Sequence, residues 1–155
     1  MWDSLFGIAN AWAMLCWAVL VLAPRTPLAQ TAVFYAGAGL LCLVYAVLLV
    51  LLLTGALDAD GAGDGGASLT SIAGVRAIFA SDGGVVVGWV HYLAFDLFTG
   101  LWIARDADNK CFSQVVQAPV LLLTFLFGPA GLLAWMAIRE KRARKGAKSS
   151  IRIKR

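Results

Sequence analysis

One long apolar stretch of the chain is interrupted by two residues that can carry out acid/base chemistry. His91, the single histidine of the sequence, and Asp96 lie within the stretch from Gly83 to Ala104. An ionisable residue in a segment long enough to cross a membrane is costly, and it marks a functional site by default. Histidine exchanges protons near neutral pH, and apolar surroundings favour the neutral form of a carboxyl group. The pair therefore predicts proton transfer on an apolar substrate, such as a double-bond shift, an epoxide opening or a dehydration.

Aromatic residues accompany both positions at helical spacing. At about 100° per residue, one helical face combines His91, Phe95, Phe98, Trp102 and Arg105. A second face combines Trp89, Tyr92, Asp96, Gly100 and Ile103. His91 and Asp96 are about 140° apart on an ideal helix, so they border one cavity only if this helix is central or bent. We expect the aromatic rings to line a slot for a flat or polyene ligand, the rings being those of Trp89, Tyr92, Phe95, Phe98 and Trp102.

The polar residues also fit a purely structural role. His91 and Asp96 would then form hydrogen bonds between helices without any chemistry, and the spacing alone does not separate the two interpretations. Asn10, inside the first apolar segment, is a candidate partner for these groups or for the ligand. One histidine and scattered carboxylates do not make a metal-ligand set, and the three cysteines lack Cys-x-x-Cys spacing. Neither a metal nor another cofactor is therefore predicted.

Four long uncharged or nearly uncharged segments supply the elements that position these residues. The chain has 155 residues, 61% of them apolar and 14% charged, and a mean hydropathy of +0.80. Soluble domains average ~45–50% apolar and ~25% charged residues, so an ordinary soluble enzyme, a disordered chain and a secreted disulfide scaffold are excluded. A helix needs ~20 mostly apolar residues to cross a membrane. The first segment ends at Pro24, because proline cannot continue a helix. We predict an all-α, polytopic integral membrane protein, a compact bundle of transmembrane helices at about 5–23, 31–54, 85–104 and 117–138.

The loop between the second and third helices, residues 55–84, divides into two parts. The first is interpreted as a flexible acidic linker, because Asp58, Asp60 and Asp64 lack the ligand spacing of a calcium-binding loop. The second part is predicted to be a short amphipathic helix at the membrane interface, capped by Ser68. Its apolar residues have helical spacing, at Leu69, Ile72, Val75 and Phe79.

The distribution of positive charge orients the helices. Nine of the 13 Lys and Arg residues follow Ile138, whereas each loop carries one or two. Because cytoplasmic flanks are rich in Lys and Arg, both termini are predicted to lie in the cytoplasm. The chain then comprises a transmembrane domain, residues 1–139, and a basic cytoplasmic tail, residues 140–155. We expect the tail to bind anionic lipid headgroups rather than nucleic acid. The sequence is also compatible with a homo-oligomer.

Two long motifs resemble one family of small membrane proteins. Residues 88–106 read GWVHYLAFDLFTGLWIARD, and residues 119–133 read PVLLLTFLFGPAGLL. Both resemble signatures of the ABA4-like (abscisic-acid-deficient 4-like) family. The first helix, with Asn10, Trp17 and Pro24, fits the opening helix of that family more loosely. The resemblance extends over nearly the whole transmembrane domain.

The resemblance implies a four-helix membrane protein that acts on a carotenoid. Plant members of the family are linked to the formation of neoxanthin from violaxanthin, in which a carotenoid epoxide opens with loss of a proton to give an allene. This reaction needs an acid at the epoxide oxygen and a base at the polyene. The matching motif makes four residues candidates for catalysis: His91, Asp96, Arg105 and Asp106. We therefore expect an enzyme similar to a carotenoid isomerase or neoxanthin synthase.

Two features separate this chain from the plant pattern and keep alternatives open. We expect no Ser- and Arg-rich transit peptide, and the Ala/Gly-rich loop and basic tail are typical of bacteria, so we predict the bacterial inner membrane. Many bacteria make no violaxanthin, so the substrate can differ from the plant one. The alternative function is a non-enzymatic pigment- or lipid-binding accessory protein of another membrane enzyme. A third interpretation is a proton or solute pathway that uses Asp96.

Overall fold

The part of the protein that the structure describes contains helices and no strands. The computed structural model describes residues 1–23, 26–61 and 66–153, and side chains up to residue 140. Pro24, Arg25, Asp64 and the side chains of the predicted basic tail beyond Glu140 lie outside the described residues. The elements are α1 (Trp2–Leu22), α2 (Pro27–Ala32), a π-helical segment (Val33–Gly39), α3 (Leu40–Leu53), α4 (Ile72–Ile78), α5 (Asp82–Asn109) and α6 (Gln114–Ile153).

Four stretches are long and apolar enough to cross a membrane: Trp2–Leu22, Pro27–Leu53, Asp82–Asn109 and Gln114–Glu140. The predicted all-α class with four transmembrane helices is therefore confirmed. Pro27–Leu53, which combines α2, the π-helical segment and α3, is called the second span below. Each span begins three or four residues before the predicted apolar segment. The first and second spans end one residue earlier than predicted, whereas α5 and α6 continue past the predicted ends to Asn109 and Ile153.

The chain divides into two compact units, Met1–Phe98 and Thr99–Arg155. In the first unit, α1, the second span and α5 come close together at Gly37. A Cβ atom on Gly37 would lie 3.0 Å from the Sγ atom of Cys16 and 3.0 Å from a Cδ atom of Leu97. A residue without a side chain therefore permits this close approach of three membrane helices.

The second span begins regularly and then changes its helical geometry. The hydroxyl oxygen of Thr26 accepts a hydrogen bond from the Ala29 N–H at 3.2 Å, and Pro27 occupies the first turn, where no N–H is needed. The chain is π-helical over Val33–Gly39 and returns to the α-helical form at Leu40. The apolar pattern predicts a regular helix here, so the π-helical segment is a feature that hydropathy does not reveal.

The loop before α5 is hydrogen-bonded to the start of that helix. The backbone N–H groups of Asp82 and Gly83 donate to the carbonyl oxygens of Asp60 and Ala59 at 3.0 and 2.9 Å. The Asp58 carboxylate accepts from the Asp60 N–H at 3.0 Å. These residues form a bonded turn rather than a free linker, and the predicted linker residue Asp64 lies outside the described part.

The short helix α4 is present, but its predicted cap is wrong. The Ser71 hydroxyl oxygen accepts from the Gly74 N–H at 3.0 Å and caps the helix. Ser68 instead accepts from the Thr70 N–H at 3.1 Å in the preceding turn. Ser71 is the capping residue because it has an extended backbone directly before the first helical residue, as an N-cap requires. Three apolar residues of this segment are exposed, as suits a membrane surface: Leu69, Ile72 and Phe79.

In the second unit, α6 is interrupted where the apolar pattern predicts one continuous span. Phe127 (φ −140°, ψ 36°) and Gly128 (φ 14°, ψ −83°) leave the helical conformation, and Pro129 follows them. Proline has no N–H to donate and clashes with the preceding turn. The bend is tightly packed, since a Cβ atom on Gly131 would lie 2.5 Å from the Cα atom of Thr124. The Gly-Pro dipeptide is the sequence signal for this break.

Candidate functional site

The aromatic face predicted for α5 points outward. Phe95 is 58% exposed, Phe98 is 49% exposed, and His91 is exposed as well. Smaller side chains fill the interior side of the helix instead, and these buried residues are Val90, Leu93, Ala94, Leu97 and Leu101. In a membrane helix such an outward surface is covered by lipid or by an apolar ligand.

An apolar groove lies between the second span and α5 in the first unit. Its volume is about 430 Å³, and its lining consists of Phe34, Tyr35, Ala38, Gly39, Cys42, Ala94, Phe95 and Phe98. The rings of Phe34 and Phe98 meet at 6.4 Å between centroids, and Tyr35 contacts Phe34 edge-on at 4.9 Å. The π-helical segment supplies half of these lining residues, so its geometry shapes the groove directly.

His91 stands beside this groove. Its ring lies 4.7 Å from the ring of Phe95, which lines the groove, and 5.2 Å from the ring of Tyr45 on α3. Both distances are measured between ring centroids. Because His91 precedes Phe95 by one turn of α5, it extends the row of groove residues by one position. The imidazole therefore lies next to the apolar lining, and the ring of Tyr45 packs against it.

Asp96 belongs to a different group of polar side chains on α1 and α5. The Trp89 indole N–H donates to the Asn10 side-chain oxygen at 3.0 Å, and the Asn10 amide donates to the Phe6 carbonyl at 2.8 Å. Trp89 also contacts the ring of Tyr92 at 5.2 Å, and the Tyr92 hydroxyl donates to the Asp96 carboxylate one turn further on. The Asp96 Oδ2 atom is buried and has no hydrogen-bond partner among the described residues.

The predicted site residues are therefore distributed rather than gathered. Phe95 and Phe98 line the groove with His91 beside it. The residues on α1 and α5 that form the second group are Asn10, Trp89, Tyr92 and Asp96. Trp102, Arg105 and Asp106 belong to the second unit, and Arg105 is exposed. Within the described parts of the chain, no three His, Cys, Asp or Glu side chains come together as a metal site would need.

Asp106 is the centre of an ion-pair cluster in the second unit. Its Oδ2 atom accepts a hydrogen bond from the Trp135 indole N–H at 2.9 Å and lies 3.1 Å from the Arg139 Nε atom. Its Oδ1 atom lies 3.1 Å from the Lys110 Nζ atom. The Arg139 guanidinium group stacks over the Trp102 ring at 5.5 Å, a cation–π contact. Both carboxylate oxygens are therefore occupied, which suits a structural role.

Several residues of these sites were not among the predicted ones. They are Phe34, Tyr35, Cys42 and Tyr45 beside α5 and Lys110, Trp135 and Arg139 around Asp106. One signal was available for the groove, because three aromatic residues interrupt a second span that otherwise consists mainly of Leu, Val, Ala and Gly. A signal was also available for the cluster, since Trp135 and Arg139 are one helical turn apart and face the same neighbour.

The family of the protein follows from a match over most of its chain. The model of the ABA DEFICIENT 4-like family matches residues 4–135. The chain belongs to the ABA4-like family. The identification made from the two motifs is therefore confirmed, and the matched range of this ABA4-like chain contains the groove, the Asp96 group and Asp106. Among curated proteins and among solved structures, nothing matches the chain.

Proposed function

We propose that this ABA4-like protein binds a carotenoid or a similar isoprenoid in the groove between the second span and α5, and rearranges it by proton transfer at His91. The observation that carries the proposal is the position of His91 beside an apolar groove with an exposed aromatic lining. Family membership supports the choice of ligand, because the resemblance links plant members to a carotenoid reaction.

The groove suits one end of a polyene. None of its eight lining residues is charged, and its volume of about 430 Å³ falls within the ~300–1,000 Å³ that is usual for small-molecule sites. A conjugated chain would lie against the rings of Phe34, Phe95 and Phe98, where apolar burial and ring contacts both stabilise it. Because the rings of Tyr35, Phe95 and Phe98 are exposed on a membrane-spanning surface, the ligand enters from the bilayer and the remainder of a long ligand stays in lipid.

His91 and Tyr45 are the groups that we assign to proton transfer. The Tyr45 hydroxyl donates a proton to the epoxide oxygen, and the carbon–oxygen bond breaks with its electron pair on oxygen. His91 removes a proton from the neighbouring polyene carbon, and the electrons of that bond form the new double bond of the allene. Return of the proton from the imidazolium to the phenolate restores both residues, so the reaction is a net isomerisation.

Pigment analysis of a violaxanthin-producing bacterial host tests this mechanism. We expect the protein to convert the epoxide, and His91→Phe and Tyr45→Phe to lower conversion about 100-fold or more, because a positioned acid or base contributes ~10²–10⁴. Leu43→Ala is the matched control, since Leu43 is exposed on the same span but does not line the groove. Unchanged pigments in the presence of the correctly inserted protein would overturn the enzymatic proposal.

Binding without turnover is the second candidate function. It is favoured by the separation of His91 from Asp96, since the acid/base pair expected from the sequence does not line one groove. The protein would then hold a pigment or lipid for another membrane enzyme. Purification in mild detergent followed by pigment extraction checks this: Phe95→Ala combined with Phe98→Ala should empty the protein, and His91→Phe should leave it loaded. A wild-type protein that carries no apolar ligand contradicts both candidate functions.

We also infer that the protein resides in the bacterial inner membrane with both termini in the cytoplasm. The excess of Lys and Arg after Ile138 supports this orientation, and such a basic segment favours anionic headgroups. Green fluorescent protein fused to either terminus should fluoresce, and alkaline phosphatase at the same positions should be inactive. The reverse pattern would place the termini in the periplasm and contradict the inference.

A further inference from the structure

The π-helical segment (Val33–Gly39) receives a hydrogen bond from a side chain of another helix. The indole N–H of Trp12, on α1, donates to the carbonyl oxygen of Ala36 at 2.8 Å. Ala36 is the central residue of the segment. Helices depart from the regular α-helical ladder where a side chain bonds to their backbone, and π-helical turns occur frequently at functional sites. The Trp12 bond is therefore placed to stabilise the unusual geometry.

The same segment has the groove on one side and a close helix contact on the other. Phe34, Tyr35 and Gly39 line the groove, whereas Gly37 approaches α1 and α5. A π-helical turn accommodates one more residue than an α-helical turn. Return to the α-helical form would shift the register by one residue and rotate Phe34 and Tyr35 by about 100° relative to the residues after Gly39. The groove would lose its present lining at that end.

We infer that Trp12 is a positioning residue for the groove: its hydrogen bond to Ala36 keeps the segment π-helical and thereby holds Phe34 and Tyr35 against α5. Trp12 does not itself line the groove, so it acts through the backbone of the second span. The inference rests on the proposed function only for the identity of the ligand, and the groove geometry is testable without any ligand.

The geometry is tested with a nitroxide spin label on Cys42, which is exposed and lines the groove. Cys111→Ser removes the other exposed thiol, and Cys16 is buried. Trp12→Phe keeps an aromatic ring but removes the N–H donor, and we expect it to change the mobility of the label in lipid nanodiscs. Trp12→Leu, which has no hydrogen-bond donor either, should give the same change and is used if the first variant does not accumulate.

Trp2→Phe is the matched control on the same helix. The Trp2 indole N–H has no hydrogen-bond partner among the described residues, and Trp2 does not line the groove. This substitution therefore removes an equal amount of side chain without touching the π-helical segment. We expect the spectrum of the label on Cys42 to match that of the labelled protein in which Trp2 and Trp12 are both unchanged.

Ligand binding is measured with violaxanthin as the probe, by its induced circular dichroism in nanodiscs. We expect Trp12→Phe to raise the Kd about fivefold, which corresponds to ~1 kcal/mol, the net contribution of one hydrogen bond. Gly39→Leu, which fills the groove without removing the Trp12 donor, should abolish binding. An unchanged label spectrum in Trp12→Phe overturns the inference, and so does a changed spectrum with an unchanged Kd. If violaxanthin binds to no variant, the proposed function fails while the spectra still decide whether Trp12 sets the groove geometry.

Discussion

Replacement of Asp106 should reveal a residue that stabilises the fold, although the family motif makes it a candidate for catalysis. Its carboxylate accepts the Trp135 N–H at 2.9 Å and lies 3.1 Å from both the Arg139 and Lys110 nitrogen atoms. Asparagine retains an oxygen for the indole but removes the negative charge between the two cations. Alanine in addition leaves the Trp135 N–H without an acceptor, on a side chain that is 0% exposed.

The expected losses follow from the exposure of each partner. The Lys110 pair is partly exposed and contributes ~0–1 kcal/mol. In Asp106→Asn the Trp135 indole bonds to a neutral acceptor instead of a charged one, which costs ~1 kcal/mol. Loss of the half-buried Arg139 ion pair adds a similar amount after allowance for solvent screening. Asp106→Asn should therefore lower the free energy of unfolding by ~2–3 kcal/mol. Asp106→Ala should cost ~3–6 kcal/mol, because a buried donor without an acceptor adds ~1–3 kcal/mol.

Unfolding by sodium dodecyl sulfate in mixed micelles, followed by near-ultraviolet circular dichroism of the tryptophans, measures these differences. Lys110→Ala is the control, and it should cost under ~1 kcal/mol because only this partly exposed pair is lost. A double-mutant cycle with Trp135→Phe should give a coupling of ~1–2 kcal/mol. If Asp106→Asn unfolds like the wild type and yet abolishes pigment conversion, Asp106 is a catalytic group and the reasoning from its partners is refuted.

Two further predictions concern helix contacts in the first unit. Gly37→Ala should lower the free energy of unfolding by ~1–3 kcal/mol through overpacking, and Cys16→Ala in the same chain should restore part of the loss because it removes the sulfur that the new methyl group meets. Gly7→Ala, whose methyl group meets nothing within 4 Å, is the control for helix propensity, and equal effects at both glycines would contradict the packing argument. Asn10→Ala and Trp89→Phe should each cost ~0.5–2 kcal/mol in the same unfolding assay, and the double variant should cost less than their sum, since both remove one shared hydrogen bond. Additive losses would show that the bond contributes nothing.

The sequence predicts the elements of this protein well and the orientation of its site less well. Four apolar segments determine four helices, and the spacing of His91 and Asp96 indicates correctly that they occupy different faces of α5. Which face is buried does not follow, because in a membrane helix the surface toward lipid is as apolar as the surface toward protein. The sequence therefore fits two placements of Phe95 and Phe98 equally well: in the interior of the protein, or in an exposed groove as the structure has them. The π-helical segment is hidden for a different reason, since it depends on the Trp12 bond from another helix.

The three ionisable candidates with defined side-chain contacts differ in how many of their polar atoms are already satisfied. Asp106 has both oxygens occupied by donors, and moving a proton there would first break an ion pair. Asp96 has one oxygen bonded to Tyr92 and one buried oxygen without a partner in the described part of the chain, which is costly in apolar surroundings. His91 packs against the rings of Tyr45 and Phe95 and is exposed beside the groove. In the proposed reaction, proton transfer to a ligand would therefore require the least rearrangement at His91, and the buried oxygen of Asp96 would be the next position to stabilise a ligand hydroxyl.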